Sequence, residues 1–370
     1  MHAMHRLPRI LVIPPSYFAT GRTIGGGERY ALEYAKALSR FVPTTLGLFD
    51  HEPACEKLGE LTVRVFEVEH RFQGLIYPLG LRTLRQLGEY DLFHVMVFPT
   101  PLTDMIVLLA RMLGKRIVLT DVGGGGRCWS TYLQKLHRRA NLNRLAHGLA
   151  LLSRHAARFF EEWRQPKTIL YGGVDADSFT AEQSRPLGYA LYVGRLLPHK
   201  GVLQVIQALS PTTPLHVVGR PYDADYFQQL QQAAAGKNVR FIVDADEAEL
   251  RRQYQGASVV LQPSLPSGDL ATDKSELLGM VALEAMASGK PVIVTNTTSL
   301  PELVVDGVTG LIVPPYQPDA LRIAVEQFLS NPALSQAWGM AARRHVIENF
   351  GWQAAARRGL QLYENLGLAC

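Results

Sequence analysis

Short β-branched runs recur along the whole chain, each followed by a longer stretch with helical spacing, and this alternation limits the fold more than any other feature. In the first half PRILVIPPS, TTLGLFD, LTVRVFEV, DLFHVMVF and KRIVLT read as strands, and GGGERYALEYAKALSRF reads as a helix with Tyr30, Ala31, Tyr34, Ala35 and Leu38 at helical spacing. In the second half ALYVGRL, PLHVVGR, VRFIVD, SVVLQPS, PVIVT and GLIVPP are strands between amphipathic helices such as DYFQQLQQAAAG and ELRRQYQGA. Strands that are apolar at nearly every position are buried on both faces, as in parallel sheets made of βαβ units. The expected fold is α/β, with two doubly wound Rossmann-like domains. A chain of 370 residues exceeds what one core usually serves. The boundary is expected near TILYGGVDADSFTAEQSRP (Thr168 to Pro186), giving domains 1–170 and 171–351. Two such domains in tandem are expected to face each other across a cleft at the carboxyl ends of their strands, where open α/β sheets bind ligands.

The hydrophobic fraction of 47% and charged fraction of 19% are those of a globular protein. The longest helix-like apolar stretches, MIVLLARML (Met105 to Leu113) and HGLALLS (His147 to Ser153), are too short to span a bilayer. The N-terminal ILVI run meets Pro14-Pro15 and reads as a first strand rather than a signal peptide. Cys55, Cys128 and Cys370 are odd in number and without metal-ligand spacing, which points to a cytoplasmic setting. Residues 1–170 carry 23 Lys and Arg against 14 Asp and Glu, and residues 171–370 carry 15 against 19. The basic first half suits an anionic membrane surface or an anionic acceptor. LRTLRQLGEY (Leu81 to Tyr90) and LQKLHRRANLNRL (Leu133 to Leu145) interleave basic and apolar residues as interfacial helices do, and as solvated surface helices also do. No aromatic residues alternate with these basic ones, which disfavours nucleic acid.

Three segments carry chemistry. Gly25, Gly26 and Gly27 follow a strand and a loop and precede a helix, so backbone N–H groups there can meet an anion. LYVGRLLPHKGV leaves Arg195 and Lys200 on the loop after a strand, a fork and a point charge suited to a diphosphate. In SELLGMVALEAMASGKPVIVT, Glu276 stands before a helix and Glu284 inside it. Eight residues at about 100° each offset the two by only about 80°, so both can face one ligand. Carboxylates accept hydrogen bonds from hydroxyls, as on a sugar or a ribose. Backbone groups from Leu278 to Val281 would meet a phosphate at the helix start.

SELLGMVALEAMASGKPVIVT resembles the E-x7-E signature of glycosyltransferase family 4 (glycosyl transferases group 1), retaining enzymes of the GT-B fold. GGGERYALEYAKAL resembles that family's N-terminal glycine loop, ILYGGVDADSF its interdomain segment, YVGRLLPHKGV its Arg/Lys loop, and FGWQAAARRGLQLYENL its last helix, residues 352–370, returning to the first domain. The resemblance implies that Glu276 binds donor-sugar hydroxyls, that Glu284 binds the nucleotide ribose, and that Arg195 and Lys200 hold the diphosphate. Gly26 and Gly27 would line the phosphate, and Gly279, Met280 and Val281 would contact donor sugar or phosphate. The family often has a histidine in a strand-end T-x-H pattern; here Val122 stands there, in VLTDVGGGGRCWS. Sugar or acceptor positioning then passes to Asp121, Gly123 and Gly124. Neither His94 nor His137 takes the missing role.

The implied function is retaining transfer of a sugar from a nucleotide-diphosphate sugar, a UDP or GDP sugar, to a hydroxyl of a glycan or lipid-linked acceptor in cell-surface polysaccharide synthesis. No metal or cofactor is expected. The setting is cytoplasmic, with peripheral contact to an anionic membrane. The alternatives are a sugar-nucleotide epimerase of the same fold and an inactive nucleotide-sugar binding protein.

Overall fold

The structure, a computed structural model, describes residues 6–14, 26–67, 70–72, 75–77, 81–96, 100–122, 142–181, 186–266 and 276–370. Two units divide the chain: the first is Met1–Leu152, Phe160–Gly173 and Trp352–Cys370, and the second is Ser153–Phe159 and Val174–Gly351.

The first unit contains strands β1 (Ile10–Ile13), β2 (Thr44–Asp50), β3 (Ala54–Leu58), β4 (Leu61–Glu67), β5 (His70–Phe72), β6 (Leu75–Tyr77), β7 (Leu92–Val95), β8 (Arg116–Leu119), β9 (Gly148–Leu151) and β10 (Lys167–Ile169). Eight of them form one sheet in the order β10-β9-β8-β7-β1-β2-β4-β3, parallel except where β3 pairs with β4, while β5 and β6 form an antiparallel hairpin. The chain winds outward in opposite directions from β1 and β7, so this sheet's switch point lies between those two strands. β1, β7 and β9 are buried at every position, as strands covered on both faces must be. The HGLALLS run, expected as helix, forms β9. A short apolar run cannot be told from helix by periodicity, and here burial on both faces selects the strand. The C-terminal helix Trp352–Asn365 packs in this unit: its Tyr363 hydroxyl lies 3.0 Å from that of Tyr34 and 2.6 Å from His94 Nδ1. Helix Leu81–Leu87 buries Leu87 and pairs Arg82 with Glu67 at 2.9 Å, the arrangement of a helix seated on its own unit.

The second unit holds β11 (Tyr189–Val193), β12 (Leu215–Val218), β13 (Val239–Ile242), β14 (Ala257–Gln262), β15 (Val292–Thr295) and β16 (Gly310–Val313). All pair in parallel, in the order β13-β12-β11-β14-β15-β16. Helices Val202–Ala208, Ala224–Ala234 and Pro318–Ser330 send Val205, Leu230 and Phe328 into its core. Asp-Ala-Asp occurs three times in the chain, and one carboxylate of each serves local structure. Asp223 caps one helix through Tyr226 N at 2.9 Å, Asp246 caps another through Glu249 N at 2.7 Å, and Asp175 accepts from Asp177 N at 3.1 Å. Ser153–Phe159 belongs with this unit because Glu302 accepts from Arg154 N at 2.8 Å and His155 N at 2.7 Å.

Candidate functional site

In the second sheet the winding direction reverses between β11 and β14, so the loops after these two strands meet. The loop after β11 carries Arg195 and ends in a single turn, Pro198–Lys200, closed by Gly201 at φ 73°. A Cβ on Gly201 would stand 1.9 Å from the Pro263 carbonyl oxygen, so only glycine lets the turn lie against the end of β14. Leu265 N donates to the His199 carbonyl at 2.8 Å and fixes the same approach.

This seating brings Lys200 to Glu276. Lys200 Nζ lies 2.7 Å from Glu276 Oε2, with only 14% and 16% of the two side chains exposed. Gln262, the last residue of β14, donates from Nε2 to the same carboxylate oxygen at 3.0 Å. Its Oε1 accepts from Ala282 N at 3.0 Å, so one side chain ties the carboxylate to the start of helix Met280–Ala287. Ser299 Oγ donates to the Glu276 main-chain oxygen at 3.1 Å.

Gly279 caps that helix at φ 93°, and a Cβ there would fall 2.7 Å from Leu300 and 2.8 Å from Leu303. Among the described residues the Met280 and Val281 amides have no acceptor, which leaves a helix N-terminus with unpaired N–H groups and partial positive charge beside Lys200. One turn further, Glu284 Oε2 accepts from the Tyr254 hydroxyl at 3.0 Å. Tyr254 is fully buried and meets Phe179 edge-on. The helix thus presents a sheltered carboxylate before its first turn, free amides in it, and a braced carboxylate after it. Anions with attached hydroxyls fit this arrangement.

Arg195 is not drawn into the cluster. It is exposed, with its guanidinium 5.9 Å from the centre of the Tyr222 ring. Its carbonyl accepts from the Tyr192 hydroxyl at 3.1 Å, and burial pushes that phenol well above its usual range, so it stays a donor that braces the loop from beneath.

In the first unit Gly26 and Gly27 form the first turn of helix Gly26–Ser39, where a loop before the helix was expected. Their N–H groups therefore belong to the helix's own open end. Asp121 follows β8 and is 5% exposed. Beside it, Thr120 Oγ1 lies 2.6 Å from His94 Nε2, and burial drives the His94 imidazole down to about 3, so the ring is neutral. Val122 is half-buried; Gly25, Gly123, Gly124 and His137 lie outside the described residues.

Gln262 and Tyr254 are the site residues that motif reading missed. Gln262 left one signal, a long polar side chain that closes the apolar run 259–261 and is only 6% exposed. Among the described residues no group of three or more His, Cys, Asp or Glu could hold a metal ion, and no helix is long and apolar enough to cross a membrane.

Fold and site together define a protein of two Rossmann-like α/β units whose second unit holds a lysine and carboxylate cluster, suited to a hydroxyl-bearing anion, at its switch point. Residues 178–345 match the family described as Glycosyl transferases group 1. Over 345 residues the chain is 30% identical to an uncharacterized glycosyltransferase of Methanocaldococcus jannaschii, covering 86% of this chain and 80% of that one. The chain belongs to the glycosyl transferases group 1 family. It is 33% identical over 206 residues to a glycogen synthase of Mycobacterium tuberculosis, covering 53% of this chain and 48% of the other, so it spans about half the length of that relative. A GDP-mannose-dependent alpha-(1-6)-phosphatidylinositol monomannoside mannosyltransferase of Mycolicibacterium smegmatis is 29% identical over 311 residues, 77% of this chain and 79% of that one. Among solved structures, an Anabaena protein in complex with UDP and glucose superposes with a TM-score of 0.69 at 20% identity, over 97% of this chain and 99% of that one. That likeness is one of fold, GT-B.

Proposed function

We propose that the chain is a retaining glycosyltransferase of family 4 that moves a hexose from a UDP or GDP sugar to a hydroxyl of a glycan or lipid-linked acceptor. The observation that carries this reading is the single Glu276 oxygen shared by Lys200 and Gln262 at an open helix N-terminus, with Glu284 braced by Tyr254 on the same helix. In this reading the amides of Gly279, Met280 and Val281 and the charges of Lys200 and Arg195 take the diphosphate. Glu276 orients donor-sugar hydroxyls and Glu284 the ribose. The bond between the anomeric carbon and the diphosphate oxygen breaks, the acceptor oxygen bonds that carbon on the same face, and the acceptor proton leaves with the diphosphate. No carboxylate is assigned as a covalent nucleophile. From the first unit, Gly26 and Gly27 line the donor phosphate, and Asp121, Gly123 and Gly124 position the sugar or acceptor.

The choice of UDP or GDP is supported by the relative that uses GDP-mannose and by the Anabaena complex with UDP. A lipid-linked acceptor in cell-surface polysaccharide synthesis, at the cytoplasmic face of a membrane, accords with the basic first half. In that half Met112 is 82% exposed and follows exposed Arg111 in the chain, an apolar and cationic pairing suited to anionic lipid.

Titration calorimetry with UDP, GDP and ADP tests the reading on the natural chain and on Lys200→Ala, Arg195→Ala and Glu284→Ala. One nucleotide is expected to bind, with each substitution weakening it tenfold or more; binding of none overturns the reading. NMR of the matching sugar nucleotide then separates the outcomes. A new sugar from donor alone means epimerisation, whereas an acceptor-dependent product with unchanged anomeric configuration means retaining transfer.

A further inference from the structure

We infer that the second unit holds a second ligand site, separate from the Lys200–Glu276 cluster, for a neutral hydroxyl-bearing ring, the chemistry of an uncharged pyranose. A cavity of about 350 Å³ lies between helix Val202–Ala208 and the segment that follows β16, with Pro263 and Leu265 in its wall. That volume is in the range of small-ligand sites. Arg195, Lys200, Glu276 and Glu284 do not line it, and no charged side chain does so among the described residues.

Its chemistry is amphipathic in the manner of a sugar. Pro263, Leu265 and Leu321 offer apolar surface for C–H faces, and the amides of Gln204, Gln207 and Gln317 offer donors and acceptors for hydroxyls. Two independent observations point to an occupant. The Gln204 amide oxygen is shut off from water and has no hydrogen-bond partner. Buried acceptors rarely stay unpaired. A shift of the whole Gln204 side chain that brings this oxygen to the cavity it lines would let a ligand hydroxyl satisfy it. The second observation is Tyr316, which lines the cavity at φ 59° with 62% of its surface exposed. A left-handed conformation is costly for an aromatic residue and gathers at ligand clamps. It holds the ring at the cavity, where an aromatic face can stack on a sugar.

The wall also touches the first site. Pro263 follows Gln262, which holds Glu276, and Leu265 N bonds the His199 carbonyl in the Lys200 turn. If the transfer reading holds, the occupant is a neutral residue of the acceptor glycan; that assignment rests on the reading above, while the site itself does not.

Saturation-transfer NMR with methyl α-D-mannopyranoside and methyl α-D-glucopyranoside tests the inference, with glucose 6-phosphate as the charged comparison. The natural chain and Glu284→Ala are expected to give signal with at least one neutral glycoside, and Tyr316→Gly and Gln204→Leu to lose at least tenfold of it. Tyr316→Gly should melt no lower than the natural chain, since glycine relieves the left-handed backbone, so lost signal would not reflect unfolding. No signal from either glycoside, signal unchanged in both cavity variants, or an equal response to glucose 6-phosphate overturns the inference. Nucleotide binding, measured on the same samples, tests the transfer reading separately.

Discussion

Gln262 does for Glu276 what the E-x7-E spacing cannot do alone: it joins the carboxylate to the backbone of the helix behind it. Gln262→Leu keeps the volume but leaves Glu276 with one fewer donor and Ala282 N without its side-chain acceptor. Leaving buried polar groups short of partners costs about 1–3 kcal/mol, which urea unfolding should read directly. Nucleotide-sugar affinity should fall about tenfold with it, as the carboxylate loses its fixed position. An unchanged affinity would mean that Lys200 alone holds Glu276. His94 makes a second residue-scale prediction. Burial holds its folded value near 3, below the usual 6.5, so the unfolded chain binds a proton that the folded chain refuses between those values. Stability from a neutral His94 is complete above about pH 6.5 and declines by up to about 1.4 kcal/mol per pH unit as pH falls. Unfolding of the natural chain and of His94→Asn from pH 4.5 to 7.5 should show a shallower slope in the variant. At this scale Glu276, Glu284 and Lys200 were legible because the motif fixes their spacing. Gln262 and Tyr254 were not, because they reach their carboxylates across 14 and 30 residues of chain.

At the scale of elements, helix Met280–Ala287 depends on how it begins. Gly279 has two reasons to be glycine, its φ of 93° and the side chains of Leu300 and Leu303 closing over it. Gly279→Ala is expected to cost about 1–3 kcal/mol of stability and to tilt the open amides away from a phosphate. Gly307→Ala is the control, since its φ is 76° but nothing stands within 4 Å of the added Cβ. It should lower stability less and leave nucleotide affinity unchanged; equal losses of affinity would show that Gly279 matters only as backbone. Parallel strands with apolar runs were legible from sequence in both units, and those runs position the site. β3 was not, since all five of its residues are exposed and it sits at a sheet edge, where no core imprints a pattern. β9 was misread because four buried residues have no period to measure.

For the whole molecule, the consequence of two units is that a ligand should stabilise them unequally. Glu302 reaches back 147 residues to His155, a tie that chain order does not announce, and it makes Ser153–Phe159 part of the unit that holds the lysine and carboxylate cluster. Arg195, Lys200, Gln262, Glu276, Gly279 and Glu284 all lie in that second unit, while only Gly26 and Gly27 are assigned to the donor from the first. A nucleotide at 100 times its dissociation constant adds about 2.7 kcal/mol to whatever opens when the site opens. For amides exchanging through full opening of the second unit, those of β11 and β14, that is a slowing of about a hundredfold. Amides of β1, β7 and β8 in the first unit should slow far less, because the ligand's free energy is not lost when that unit opens alone. Hydrogen exchange with and without the bound nucleotide reads both sets in one experiment. Equal slowing in both would show that the units open together, and slowing confined to the first would move the donor site out of the second unit.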